Sequence, residues 1–186
     1  MTGITSLWLP ILLSAVVVFV ASSVIHMVSP WHKGDYRKVP DENALRAAVG
    51  PLAIPPGDYM VPRPVGREEM KSSEFMDKVR AGPNLVVTVL PNGQWSMGRN
   101  LVLWFLYLVV VSIFGAYLTT RAFPQNPPGA EIVRFVSTTT FIAYGPALWQ
   151  MSIWYRRSWS TTIKATVDAL IYSFITAAIF YWLWPR

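Results

Sequence analysis

Four long apolar segments, separated by more polar ones, constrain this chain more than any other feature. They cover residues 7–28, 101–120, 135–154 and 165–184. Each has roughly the 20 residues that an α-helix needs to cross a hydrocarbon core about 30 Å thick. Because lipid offers backbone groups no hydrogen-bond partner, a spanning segment must be a helix or part of a closed barrel, and runs this continuous are helices. The sequence therefore predicts an α-helical, multi-pass integral membrane protein with four transmembrane helices.

Most of the polar sequence lies in one block between the first two apolar segments, and we predict that it folds as a small α+β domain outside the membrane. Proline removes a backbone donor, so the Gly145-Pro146 pair predicts a kink in the third helix. The predicted order is an N-terminal segment with helix 1 (1–28), the α+β loop domain (29–100), helix 2 (101–120), a short loop (121–134), helix 3 (135–154), a basic loop (155–164), and helix 4 with the C-terminus (165–186).

Local signals inside the 29–100 block predict its helices and strands. Asp41 can cap a helix over residues 42–49, and Gly50 is suited to a left-handed residue that ends it. Further segments are a helix over 73–80 and strands over 58–61 and 85–90, and the Asn92-Gly93 turn signal predicts that residues 94–97 pair back on the second strand. A unit this small needs the membrane surface, the chain's own helices or a partner to stay ordered.

Composition excludes several classes of function. The chain has no cysteine, which removes disulfides, thiolate metal sites and cysteine nucleophiles. It has only two histidines, His26 and His32, so we expect no multi-histidine metal site within one chain and predict neither a metal nor a cofactor. No nucleotide-binding motif or nucleophile–base signature is present, so we do not expect an enzyme. The net charge of +6 comes from basic residues beside the apolar segments, which favours lipid head groups over nucleic acid as the partner.

The distribution of basic residues predicts the orientation. Loops 29–100 and 155–164 carry more lysine and arginine near the membrane than the opposite face does, namely Lys33, Arg37, Lys38, Arg99, Arg156, Arg157 and Lys164 against Arg121, Arg134 and Arg186. The positive-inside rule then places both loops in the cytoplasm and both termini outside. An alternative is that the first segment is a signal peptide cleaved near Ala21-Ser22-Ser23, although residues 1–6 lack the usual positive side chain.

Asp168 is the one ionisable residue clearly inside a predicted span, and such residues are functional candidates. Lys164 precedes it by four residues on the same helix face, so the interpretation we favour is a structural ion pair near the interface. The alternative is a proton or ion site that continues through Tyr172 and Thr176, each four residues further into the bilayer.

The two histidines are given modest roles by the sequence. His26 lies near the cytoplasmic end of the first helix, and we favour a hydrogen bond to a neighbouring helix or head group. The alternative is axial ligation of a haem or chlorophyll-type cofactor. His32, between Trp31 and Lys33, is predicted to be solvated.

Small residues recur every four positions on the fourth segment, at Ala165, Ala169, Ser173 and Ala177. This helix-packing face lets another helix approach closely, either within the same bundle or from another subunit. The sequence predicts a non-catalytic accessory, assembly or scaffolding subunit of a larger membrane complex, with lipids and other membrane subunits, or a second copy of the chain, as partners. The alternative is a small transporter or channel that uses Asp168 and the kinked third helix.

Overall fold

The computed structural model describes residues 3–93, 96–123 and 127–185 and is mostly helical (72%). Its contacts divide the chain into a helical unit, Met1–Tyr36 with Ser96–Arg186, and a small unit, Arg37–Trp95. The helices and strands of the described residues are α1 (Trp8–Ser23), α2 (Glu42–Val49), β1 (Gly57–Val61), α3 (Arg67–Lys71), α4 (Ser73–Ala81), β2 (Leu85–Val89), α5 (Met97–Ala122), α6 (Gly129–Tyr144), α7 (Trp149–Ile153) and α8 (Trp159–Leu183).

Among the residues that the structure describes, three helices of the helical unit are long and apolar enough to cross a membrane. The first is Ile4–Val28, in which a 3₁₀ turn, α1 and a π-helical turn follow one another, and the others are α5 and α8. Many of their large apolar side chains face outward, including Val20, Phe114 and Phe174. An apolar surface of this extent is typical of a protein that contacts lipid, so the chain is membrane-embedded.

The segment predicted as the third transmembrane helix is broken in the structure. Helix α6 ends at Tyr144, a 3₁₀ turn covers Pro146–Leu148, and α7 follows. Pro146 lacks the N–H that would continue the helix. Gly145 lies at the break, where a Cβ atom would sit 3.1 Å from the Cβ of Ala169 on α8. The predicted kink is thus present as a full interruption, and α6 and α8 approach closely beside it.

The fourth predicted helix begins earlier than expected. Helix α8 starts at Trp159, so the basic loop predicted over 155–164 is shortened to residues 154–158. Lys164 therefore lies on a helix, where its position relative to Asp168 is fixed by the helical geometry.

Within the described ranges, two clusters of buried side chains hold the helical unit together. All four predicted transmembrane segments contribute to them. One cluster contains Leu7, Ile11, Ala116, Ile132, Val136, Ala177, Phe180 and Trp184, and the other contains Ala15, Val18, Leu108, Val111, Tyr144, Ala169 and Tyr172.

The helix-packing face of α8 is used within the chain. Ala169, Ser173 and Ala177 are buried against the chain's own helices, and Ala165 is half-buried. Small side chains at these positions, together with the nearby Gly145, allow α6 and α8 to approach closely. This burial favours the first of the two sequence interpretations, contact within the same bundle.

The small unit contains an antiparallel pair of strands, with Gly57 opposite Val89 and Val61 opposite Leu85. Helix α2 begins as predicted, because the Asp41 carboxylate accepts a hydrogen bond from the Ala44 N–H at 2.8 Å. None of residues 37–93 is buried.

Two predictions for this unit are corrected. Gly50 is right-handed (φ −54°) and continues into a 3₁₀ turn, and the left-handed residue is Ala53. The partner of β2 is β1, whereas Met97 begins α5. Residues 94 and 95 of the predicted third strand lie outside the described residues. The distant strand β1 therefore takes the position that the local turn signal assigned to residues 94–97.

Candidate functional site

His32 joins two carboxylates that are far apart in the sequence. Its Nδ1 lies 2.6 Å from an oxygen of Asp35, and its Nε2 lies 2.7 Å from an oxygen of Asp168 on α8. The three side chains are 10%, 11% and 4% exposed. Ionised carboxylates only accept hydrogen bonds, so this geometry suits an imidazole ring that donates from both nitrogens. The prediction that His32 is solvated is wrong.

Lys164 completes this network through Asp35. Its ammonium group donates a hydrogen bond of 2.9 Å to the second Asp35 oxygen and lies 5.8 Å from the centre of the Trp31 ring. Burial raises the pKa of Asp35, but the hydrogen bonds and charges of His32 and Lys164 outweigh it, so this pKa lies below its usual value. The expected pairing of Lys164 with Asp168 is absent. Lys164 pairs with Asp35 and Asp168 pairs with His32, because the segment after helix α1 folds back between Lys164 and Asp168.

A tight turn after helix α1 brings His32 to this place. The helix ends in a π-helical turn over Val24–Val28, and Ser29 is extended (φ −69°, ψ 145°). The Ser29 hydroxyl then accepts a hydrogen bond of 3.1 Å from the Trp31 N–H and caps the 3₁₀ turn Pro30–His32. Proline at the first position favours this turn because it has no N–H to satisfy.

His26 stacks on His32. The ring centres are 4.2 Å apart and the ring planes are 7° from parallel. The Nδ1 of His26 lies 3.0 Å from the Ser22 carbonyl oxygen, so Nδ1 carries a proton and donates it to this carbonyl. The Ser22 hydroxyl accepts a hydrogen bond of 2.9 Å from the Trp104 indole, which ties this end of the first helix to α5.

Together, His26, His32 and Asp168 form a group of possible metal ligands whose donor atoms all lie within 4.8 Å of one another. Two histidines are too few for a metal site only if imidazoles are its sole ligands. Asp168 supplies a third ligand, a carboxylate, from a helix distant in sequence. The only hint in the sequence was that both histidines and Asp168 were expected near the same membrane face.

Asp168 also begins a buried polar column along α8. Among the described residues, none hydrogen-bonds to its second oxygen, Oδ1. Tyr172 and Thr176 are buried one and two turns further on, and the Tyr172 hydroxyl likewise finds no partner within the described ranges. Tyr144 of α6 packs edge-on against Tyr172, with ring centres 5.8 Å apart. Asp168, Tyr172 and Thr176, which the sequence suggests as an ion or proton site, are thus all buried on one helix.

Unpartnered polar atoms recur elsewhere in the bundle. The hydroxyls of Ser14 on α1 and Ser112 on α5 are buried and accept or donate no hydrogen bond within the part of the chain that the structure describes. Burying a polar group without a partner costs roughly 1–3 kcal/mol. The interior of the bundle therefore contains polar atoms whose hydrogen bonds no described residue supplies.

No protein-family model, no curated protein and no solved structure matches this chain. The class that its own residues define is a membrane-embedded helical protein with a buried histidine–carboxylate cluster at one end of the bundle.

Proposed function

We propose that the protein binds a cation at the His32–Asp168 cluster and moves it across the membrane. The observation that carries this proposal is the burial of Asp168 on a membrane-crossing helix, with one oxygen bonded to His32 and the other without a partner among the described residues. A buried carboxylate costs several kcal/mol unless partners compensate it. Ionisable residues retained at this cost inside membranes are usually functional.

The polar column supports a path for the cation. Asp168, Tyr172 and Thr176 follow one another at about 6 Å intervals along the axis of α8, given the helical rise of 1.5 Å per residue. Phe180, one turn beyond, is fully buried and apolar, so passage requires its movement. The broken segment at Gly145 lies against Ala169, the neighbour of Asp168, and interrupted helices line cavities in many transporters.

We also propose that the chain crosses the membrane four times. Helix α6, the 3₁₀ turn and α7 together supply the third of four crossings, which puts the termini on one side and the basic loops in the cytoplasm. A single cysteine introduced as Gly66→Cys tests the orientation, because the chain has no other thiol. A membrane-impermeant maleimide should label it only after the cells are permeabilised. Labelling in intact cells would contradict the proposed orientation and indicate the opposite one.

Flux measurements in proteoliposomes test the transport proposal. We expect the wild-type protein to carry protons or divalent metal ions, reported by separate dyes, faster than empty liposomes do. Asp168→Asn should reduce this flux at least about 10-fold, because an amide cannot hold a cation as a carboxylate does. The matched control is Asp77→Asn, which removes an exposed carboxylate and should leave the flux unchanged. Equal flux in wild type and Asp168→Asn, or no flux in the wild type, contradicts the proposal.

A second candidate function is that of an accessory or scaffolding subunit, and one observation favours it. The small unit buries none of residues 37–93, and Leu85 and Val86 of β2 are exposed. A two-stranded sheet is marginally stable in water, so a covering membrane subunit would stabilise it. The internal use of the α8 packing face is the reason that this candidate comes second.

Native gel electrophoresis with mass spectrometry tests the second candidate. A scaffolding subunit extracted in mild detergent should migrate in a large assembly, and Val86→Lys on β2 should release it. Val65→Lys is the matched control, because Val65 is 93% exposed and lies outside the strands. Migration of the wild type alone, at small multiples of 21.0 kDa, contradicts scaffolding.

A further inference from the structure

We infer that His26, His32 and Asp168 form a binding site for a divalent transition-metal ion, with Zn²⁺ as the representative. This inference rests on the proposed function, since it names the chemical class of the cation. Metal binding is nevertheless measured separately from transport, so either can fail without the other.

The donor atoms suit such an ion. Two imidazole nitrogens and one carboxylate oxygen are ligands of borderline metals such as Zn²⁺, whereas Ca²⁺ and Mg²⁺ prefer oxygen alone. In a tetrahedral zinc site with bonds of about 2.0–2.1 Å, neighbouring donor atoms lie about 3.4 Å apart. The observed group spans at most 4.8 Å, and its His32–Asp168 contact is 2.7 Å. An ion that enters between them must part this pair by about 0.7 Å and take the place of the proton on His32 Nε2, which is released to solvent.

The two rings must also leave their parallel stack. A metal lies in the plane of each imidazole that binds it, and planes 7° from parallel with centres 4.2 Å apart do not meet at one ion. His26 is exposed, so its ring can tilt towards His32 and Asp168. The stacked arrangement is therefore the metal-free form of the site.

The Nδ1 atom of each histidine is already engaged, which leaves Nε2 as the atom available to a metal. Each uses its Nδ1 in a hydrogen bond, His26 to the Ser22 carbonyl and His32 to the Asp35 carboxylate. A ligating histidine almost always donates its other ring N–H to such a group, which fixes the tautomer and turns Nε2 towards the metal. Lys164 holds Asp35 from the other side, which makes Asp35 a positioning residue.

Asp168 gives a second, independent indication of a ligand. Its side chain is 4% exposed, and no described residue donates to its Oδ1. A bound ion would supply the partner that this buried oxygen lacks. Three protein ligands leave at least one position open for water or for another ligand, as in sites that exchange what they bind.

Metal binding to the purified protein is the direct test. The chain has no cysteine and only these two histidines, so saturable Zn²⁺ binding by the full-length protein, purified without a polyhistidine tag, reports on this cluster. After removal of metal with EDTA, titration calorimetry with ZnCl₂ should give one ion per chain with a Kd in the micromolar range or below. Titration with CoCl₂ should produce the visible absorption bands of a four- or five-coordinate site.

Variants assign the ligands. His26→Ala should weaken Zn²⁺ binding at least about 100-fold, more than the 10–100-fold typical of losing an outer-shell partner. It is the preferred variant because the His32–Asp168 and Asp35–Lys164 contacts do not involve His26. Asp35→Asn should weaken binding about 10-fold through the orientation of His32, and Asp77→Asn should have no effect.

Each outcome bears on one proposal. The metal site is refuted if the wild type shows no saturable binding of Zn²⁺ or Co²⁺, or if His26→Ala binds as tightly as the wild type. Zinc binding without any ion flux supports the metal site and contradicts transport. Flux that depends on Asp168 in a protein that binds no metal supports transport and overturns the metal site.

Discussion

The contact between His32 and Asp168 should contribute much of the energy that holds the segment after helix α1 on the helical unit. The two side chains are 2.7 Å apart and nearly buried, and 136 residues separate them in the sequence. Removing one partner of a buried charged pair typically costs about 3–5 kcal/mol, because the remaining charge stays buried without compensation. We therefore expect His32→Ala and Asp168→Ala each to lower the free energy of unfolding by about this amount.

The double variant isolates the contact itself. Because the second substitution removes a group that has already lost its partner, the double variant should be less destabilised than the sum of the two single variants. The expected coupling is at least about 1.5 kcal/mol, the lower end for a hydrogen bond to a charged group. Unfolding by SDS in mixed micelles, with EDTA present to exclude metal, measures all four proteins.

A second cycle on Arg80 and Asp77 is the control. These residues form an ion pair of 3.2 Å whose side chains are both largely exposed, so their coupling should be too small to measure. If the effects of His32→Ala and Asp168→Ala add to within about 0.5 kcal/mol, the contact carries no energy. That result would refute the reasoning for an organised cation site.

Two further predictions concern packing in the helical unit. Phe180→Ala should destabilise the protein by about 3–5 kcal/mol because the side chain is fully buried. Phe174→Ala, on the exposed face of the same helix, should have a much smaller effect. Equal shifts of the two variants in the Tm measured in detergent would contradict this assignment of faces. Gly145→Ala should cost about 1–3 kcal/mol because its Cβ would crowd Ala169 and Phe141, whereas Gly98→Ala, with open space around the new Cβ, should be neutral or slightly stabilising in thermal unfolding.

The parts of the fold that depend on local sequence were predictable. The length and hydropathy of an apolar run decide whether it forms a long membrane helix, and the Asp41 cap and the strands near residues 58–61 and 85–90 have local signals too. The pairing of β2 was not predictable in this way. The Asn92-Gly93 signal favours a local hairpin, but the actual partner lies about 30 residues upstream.

In the candidate site, too, the contact between residues distant in sequence could not be predicted from local signals. Asp168, Tyr172 and Thr176 could be selected from the sequence because ionisable and polar residues are rare in apolar segments. The partner of Asp168 could not, because it depends on a π-helical turn and a serine-capped turn that together redirect the chain after Val28. Periodicity gave no signal for that redirection. Helical spacing alone therefore points to Lys164 on the same helix, whereas the partner of Asp168 in the structure is His32.

The break in the third segment lies beside the helix that carries Asp168. Gly145 contacts α8 at Ala169, the residue directly after Asp168, so any opening of the broken third segment acts on α8 where the carboxylate is held. A metal site with a purely structural role gains nothing from such an interruption, because a rigid neighbour would hold the ligands better. A site that must release its ion benefits from a neighbour that can move, since small shifts in the ligands change affinity strongly. The adjacency of break and carboxylate therefore supports our proposal of transport over a purely structural metal at this site.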